Sequence, residues 1–256
     1  MRKLLIIGIG AGHPEHMTIQ AINALRQVNV LFITDKGADK DELARFRREI
    51  CARYVPESNF RTVLIPDPKR DRTPTDYHAA VDTWHQQRAA SYETLFSEQL
   101  GENECGAFLV WGDPSLYDST LRIVADIAAR GAVKFEYEVI PGITSVQALT
   151  ARHRIALNQI GEPVRITTGR RLAADGQGLA GDTVVLLDGE CAFQAVADDE
   201  IEIFWGAYLG TPDEILLSGR LREMSETIRQ TRAEARLRKG WIMDTYLLRK
   251  PAAPRR

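Results

Sequence analysis

Between residues 4 and 140 the chain repeats one unit: a short, largely apolar run, a break marked by glycine or proline, then a helical pattern. Strands that are apolar at every position are covered on both faces, as in a mostly parallel sheet with helices above and below. Residues 4–9 form the first run and end in Gly8-Ile9-Gly10-Ala11-Gly12. A helix is expected from about Thr18, with Ile22, Leu25 and Val28 at helical spacing. Residues 30–34 give a second strand, residues 42–52 a helix, and residues 61–66 a third strand ending at Pro66. A charged stretch at 67–72 leads into a long helical pattern from 75 to about 100. Residues 107–111 and 135–140 are further strands, and the helix over 119–129 between them is stopped at Gly131. This alternation predicts the α/β class.

After Thr144 the texture changes. Strands are expected over 164–168, 183–187, 201–209 and 241–248, with longer and more polar connections, and a heavily charged, solvent-facing helix over about 222–239. Two domains follow from this change: residues 1–141, mostly parallel α/β, and residues 142–256, a second α/β domain.

Charge and cysteine content limit the partners. A net charge of -2 gives no reason to expect nucleic acid, which selects a basic face, but leaves room for an anionic small molecule held by clustered arginines. The three cysteines, Cys51, Cys105 and Cys191, form no CxxC or Cys/His spacing, so neither a metal site nor a disulfide framework is expected, and a reducing cytoplasm fits. The N-terminal apolar run is too short for a signal peptide and breaks into glycines, and no segment is long enough to cross a bilayer.

Chemistry is concentrated in loops that follow strands, the edge where open α/β sheets bind ligands. The first, at Gly8, Gly10 and Gly12, lets backbone turn tightly or approach a ligand. With Asp35 beyond the second strand it resembles a dinucleotide fingerprint, but His13 stands where the third glycine belongs. The second, Trp111-Gly112-Asp113-Pro114-Ser115-Leu116-Tyr117, offers an anionic acceptor, or a plain Asp-Pro turn. The third, Pro141-Gly142-Ile143-Thr144-Ser145, precedes a helix that Thr144 or Ser145 would cap, and the same groups suit a ligand carboxylate.

The order GIGAGHPEHMT, WGDPSLYDST, VIPGITSVQA and GAYLGTPDEILLSGRL resembles the tetrapyrrole methylases, the class III S-adenosylmethionine-dependent methyltransferases, over essentially the whole chain. The segment Asp71-Arg72-Thr73-Pro74-Thr75-Asp76-Tyr77, followed by Val81, Trp84-His85 and Arg88-Ala89, is similar to the branch that methylates carbon 1 of precorrin-5 in cobalamin biosynthesis and releases the neighbouring acetyl group as acetate. The resemblance implies two α/β domains with the active site in the cleft between them, the second completing the cofactor pocket, and a homodimer. It implies S-adenosyl-L-methionine contacts at Ala11, Gly112, Asp113, Leu116, Thr144 and Ser145, with Leu187, Asp188, Leu209 and Gly210 from the second domain. Two positions depart from the family pattern: Gly10-Ala11-Gly12-His13-Pro14 stands where Gly-Pro-Gly-Asp-Pro is common, and Asp188 stands where methionine is common.

A polycarboxylate tetrapyrrole needs cations and a tolerant backbone. Gly8, Gly10, Arg70, Arg72 and Arg152 are the expected substrate contacts, with Arg170 and Arg171 next. Acetyl loss requires water to attack a ketone, and Tyr117, His13 and His153 are candidates to assist; a satisfied surface group is the plainer reading of His153. Trp84, His85 and Tyr92 read first as helix packing, then as a substrate or dimer face. Alternatives are another tetrapyrrole methylase or a diphthine synthase-like enzyme, a nicotinamide-dependent oxidoreductase using Gly8, Gly10 and Asp35, and a non-enzymatic tetrapyrrole-binding protein.

Overall fold

A computed structural model describes residues 1–35, 41–56, 60–66, 68, 77–175, 179 and 181–251. The chain separates into two compact units, Met1–Gly10 with Pro14–Ile143, and Ala11–His13 with Thr144–Arg256.

The first unit is a five-stranded parallel sheet in the order β3-β2-β4-β1-β5, comprising β1 (Arg2–Gly8), β2 (Val30–Asp35), β3 (Arg61–Pro66), β4 (Cys105–Val110) and β5 (Phe135–Ile140). The helices are α1 (Ile19–Leu25), α2 (Asp41–Tyr54), α3 (Tyr77–Gln99) and α4 (Thr120–Arg130). Side chains of β1 alternate between two cores: Leu5 and Ile7 pack with Leu25, Ile50 and Cys51, while Leu4 and Ile6 pack with Tyr92, Phe96, Ile123 and Ile127. That double cover is why residues 4–7 are apolar without a break, each fully buried side chain contributing about 1.5–3 kcal/mol. Phe32 and Phe108 stack 5.4 Å apart in the second core, and Tyr92 lies 5.1 Å from Phe108. Gly131 ends α4 with a left-handed φ of 70°.

The second unit is a mixed five-stranded sheet, β6-β7-β10-β8-β9, built from β6 (Val164–Thr168), β7 (Asp182–Leu186), β8 (Glu202–Ala207), β9 (Ile215–Arg220) and β10 (Asp244–Arg249). Only β6 and β7 are parallel; β10 runs antiparallel to β7 and β8, and β9 to β8. Three helices join them: α5 (Ser145–His153), α6 (Gly169–Asp175) and α7 (Leu221–Lys239).

Two expectations are corrected here. The segment 201–209 is not one long strand: β8 stops at Ala207, Tyr208 turns at φ 50°, and an unanticipated strand β9 follows. The charged helix α7 is not simply solvent-facing, since Leu221, Ile228, Arg232 and Ala235 are buried along one side. No helix among the described residues is long and apolar enough to cross a membrane.

Candidate active site

In the first unit the ends of β1, β4 and β5 converge as bare backbone. A Cβ on Gly8 would fall 2.6 Å from the Gly142 nitrogen, and one on Gly142 would fall 2.2 Å from the Gly112 carbonyl oxygen. Gly10 forms an isolated antiparallel bridge with Gly112, the Gly112 N–H donating to the Gly10 carbonyl at 2.8 Å. Gly10 has φ 82°, and a Cβ there would meet the Cβ of His16 at 2.2 Å. These glycines therefore let three strand ends pack against one another, a structural task that sequence alone does not separate from ligand approach. The geometry also counts against a dinucleotide: the glycine loop runs into a 3-10 turn at Pro14–His16 before α1 begins, and so does not open a helix directly. The side chain of Asp35, on which that reading also leaned, lies outside the described residues.

Asp113 ties this junction together. Its Oδ1 accepts from the Ser115 N–H at 2.8 Å and the Ser115 hydroxyl at 2.5 Å, and its Oδ2 accepts from the Gly142 N–H at 2.8 Å. Partial burial works to raise its carboxyl, but the Ser115 hydroxyl and the Gly142 and Ser115 N–H groups outweigh it and hold the group below the usual carboxylate value. A carboxylate offers about four lone-pair positions, so three internal donors leave room for one more. Leu116 is half-buried on the same loop, and Tyr117 follows at φ 53° with 45% of its surface exposed.

Two guanidinium groups that sequence reading did not single out as site groups lie by the same strand ends. Arg88, only 5% exposed, donates to the Ser119 hydroxyl at 2.9 Å and the Tyr92 hydroxyl at 2.5 Å, and its guanidinium lies 4.6 Å from the Trp84 ring. Tyr92 is core, as its helical spacing implied. Arg47 donates from Nε to the Leu109 carbonyl at 2.9 Å. Neither stood out because both sit in helices whose charges read as solvated. Arg70 and Arg72, the first bets for substrate carboxylates, lie outside the described residues.

In the second unit Thr144 caps α5 in a full capping box, its hydroxyl accepting from the Val146 N–H at 3.1 Å while Gln147 accepts from the Thr144 N–H at 3.0 Å. Ser145 accepts from the Thr245 hydroxyl at 3.0 Å. Ala11 is buried and His13 exposed, and both group with this unit. Leu187 leaves β7 at φ 53° with its side chain 67% exposed. A left-handed, exposed leucine is strained and apolar at once, the kind of backbone position that persists where a ligand covers it. Tyr208 at φ 50° and Gly210 at φ 78° make a second such turn around the buried Leu209.

Asp188, expected among the cofactor contacts, has its side chain engaged within the protein. It is 5% exposed, and its carboxylate accepts from the Glu190 N–H at 2.9 Å, the Ala192 N–H at 2.7 Å and the Tyr246 hydroxyl at 2.7 Å. The Asp188 carbonyl accepts from Arg232 Nη2 at 2.6 Å, and Arg232 Nε donates to Asp244 at 2.9 Å. Beneath Leu187, then, lies a satisfied polar network whose partners are far apart in sequence. Its task is to fix the turn.

His153 is half-buried and has a partner within the protein, as a satisfied group would. Its Nε2 lies 3.1 Å from the Trp205 carbonyl and its ring meets Phe204 edge-on. Burial pushes the imidazole below its ordinary value, against the opposing pull of the Trp205 carbonyl and Glu214. Arg152 is already paired with Glu214 at 2.5 Å, and Glu214 also accepts from the Gly210 N–H at 2.8 Å. Arg171 pairs with Asp175 at 2.9 Å, and Arg170 is exposed.

The family profile of the tetrapyrrole (corrin/porphyrin) methylases matches residues 3–225. A precorrin-6A synthase [deacetylating] from Sinorhizobium sp is 61% identical over 252 residues, covering 98% of this chain and 97% of that protein. The crystal structure of a cobalamin synthesis related protein (CobF) from Corynebacterium diphtheriae is 38% identical, with a TM-score of 0.83 and coverage of 98% of this chain and 99% of the other. At 16% identity, the uroporphyrin-III C-methyltransferase of Thermus thermophilus, solved with S-adenosyl homocysteine, shares the fold with a TM-score of 0.58 over 97% of each chain.

Proposed function

The chain belongs to the tetrapyrrole (corrin/porphyrin) methylases, and from that premise we infer that it is the methyltransferase of cobalamin biosynthesis that methylates carbon 1 of precorrin-5 and releases the adjacent acetyl group as acetate, giving precorrin-6A. The observation that carries this reading is 61% identity to a precorrin-6A synthase over 98% of the chain.

S-adenosyl-L-methionine, when bound, supplies the activated methyl and leaves as S-adenosyl-L-homocysteine. The residues present fit such a molecule through backbone and hydroxyl groups more than through charged side chains. Ala11, Leu187, Leu209 and Gly210 offer backbone, two of these positions holding left-handed φ. Thr144 and Ser145 offer groups at a helix start. Gly112, Asp113 and Leu116 form a loop whose aspartate keeps one acceptor position open.

What the chain must do for methylation is hold the ring carbon in line with the methyl and exclude water, because positioning alone supplies a large part of such a rate enhancement. The glycine junction at Gly8, Gly10 and Gly112 is held by close backbone contact, which suits it to support a bound macrocycle. Acetyl loss needs a group that moves a proton to or from the attacking water. Tyr117 stays a candidate, exposed on the Asp113 loop, as does the exposed His13; His153 is committed to the Trp205 carbonyl. Arg152 is paired with Glu214 through Nε and would meet the substrate through its remaining N–H groups. A cytoplasmic location is supported by Cys51, Cys105 and Cys191 being free and buried. A homodimer belongs to the same reading, and sedimentation would test it.

The deciding experiment incubates the protein with S-adenosyl-L-methionine and precorrin-5. Equal amounts of acetate and S-adenosyl-L-homocysteine are expected. Methylated product without acetate would place the chain at another step of the family, and no transfer at all would leave a binding protein.

A further inference from the structure

The parallel sheet of the first unit comes apart at its C-terminal edge, and an arginine occupies the gap. The β2–β4 ladder ends at Phe32 and Phe108. Beyond that point β2 stays with β3 as far as Asp35 and Pro66, while β4 stays with β1 as far as Gly8 and Val110. The Leu109 carbonyl therefore has no strand partner on its β2 side, and Arg47 Nε takes that place at 2.9 Å. Arg47 Nη1 donates to the Leu43 carbonyl at 3.0 Å, within its own helix. Its neighbour Phe46 packs on Trp111, 4.9 Å between ring centroids, which puts the guanidinium beside the strand that runs straight into Gly112 and Asp113.

The charge state is what separates Arg47 from its peers. Arg152, Arg171, Arg232 and Arg249 each pair with a carboxylate. Arg47 forms no ion pair with any described residue, and both of its protein acceptors are neutral carbonyls that leave Nη2 with nothing to donate to among the described residues. Burial weakens its hold on the proton, an effect the charge of Asp118 only partly offsets. A half-buried cation with no ion-pair partner among the described residues gains most from an incoming anion, and a guanidinium edge suits a carboxylate.

We propose that Arg47 seats a peripheral carboxylate of the tetrapyrrole at the split between β2 and β4. The proposal rests on the reading of the substrate as a polycarboxylate macrocycle. Arg47 thus joins Arg152, which engages Glu214 through Nε, among the cations proposed for substrate carboxylates.

The test uses uroporphyrin III, a fluorescent polycarboxylate macrocycle, titrated into the full chain and its Arg47→Met and Arg47→Lys variants, with S-adenosylhomocysteine binding measured on each. Arg47→Met is expected to bind the porphyrin about tenfold more weakly, as loss of a charge-assisted hydrogen bond implies. Arg47→Lys should lose less, keeping the charge but not the fork, and nucleoside binding should stay unchanged in both. Porphyrin affinity equal to wild type in Arg47→Met overturns the proposal and leaves Arg47 as a plug for the Leu109 carbonyl. If Arg47→Met does not fold, Arg47→Lys decides: weakened porphyrin binding with intact nucleoside binding supports the site, and unchanged binding overturns it. A wild-type protein that binds nucleoside but no porphyrin also overturns it, whereas one that binds neither overturns the methyltransferase reading itself.

Discussion

The Asp113 carboxylate accepts the Gly142 N–H at 2.8 Å and so locks the loop after β4 to the link after β5. Replacing Asp113 by asparagine keeps the size and removes the charge behind three hydrogen bonds. Hydrogen bonds to charged groups contribute about 1.5–3 kcal/mol each where they are shielded, and less for a half-exposed loop. Its folded carboxyl sits below its usual value, so the stabilisation is present above the unfolded value near 3.9 and lost as pH falls through the folded one. Denaturant melts of wild type and Asp113→Asn should therefore differ at pH 7 and converge in strong acid. Asp113→Ala should in addition weaken S-adenosylhomocysteine binding by calorimetry and confer no affinity for NAD.

The glycine junction predicts a sharp contrast between alanine substitutions. Gly142→Ala drives a Cβ to 2.2 Å from the Gly112 carbonyl oxygen, where the nearest atoms are all backbone and none can rotate aside. Overpacking of this kind costs about 1–3 kcal/mol or more, which lowers Tm by about 2–4 °C per kcal/mol in a chain of this size. Gly189→Ala meets nothing within 4 Å and should melt as wild type does. Equal melting of the two variants would show that the strand ends are not in close contact.

The first unit was legible in sequence because its signals are local. Doubly covered strands are apolar at every position, and Gly131 ends α4 where a left-handed residue is needed. The second unit was harder for the opposite reason. β9 contains Ser218, Gly219 and Arg220 and is half-exposed at the sheet edge, so its alternation is weak; only pairing with β8 defines it. The partners of Asp188 are Tyr246 and Arg232, drawn from β10 and α7, and no spacing in the chain announces them. Arg47 was missed because a helix carrying Arg45, Arg47, Arg48 and Arg53 reads as a solvated face.

The network around Asp188 predicts that Arg232 and Tyr246 act indirectly on the Leu187 turn, proposed above as a cofactor contact. Arg232→Met leaves Asp244 buried without its cation, a change that costs about 3–5 kcal/mol. Tyr246→Phe removes one of three donors to Asp188 and should cost about 1.5–3 kcal/mol while the fold survives. Since that donor helps hold the left-handed Leu187, nucleoside affinity should fall in Tyr246→Phe with the KM for the tetrapyrrole unchanged. Calorimetry beside steady-state kinetics would distinguish this from a purely global loss of stability, which would lower the yield of active protein and leave both constants intact.

His153 offers the last test, because its packing and a catalytic role predict opposite results. Burial holds the folded imidazole below its usual value of about 6.5. The neutral form is the one the fold accepts, so its contribution is complete above the unfolded value and is lost as pH falls through the folded one. His153→Gln, which cannot titrate, should flatten the loss of stability as pH falls below about 6.5 in denaturant melts, although some stability at pH 8 is given up with the Phe204 ring contact. Acetate release at pH 7.5 should match wild type, because Nε2 faces the Trp205 carbonyl and not a reacting group. A variant that still methylates but no longer releases acetate would instead show that His153 leaves its packed position during turnover and handles the proton of the attacking water.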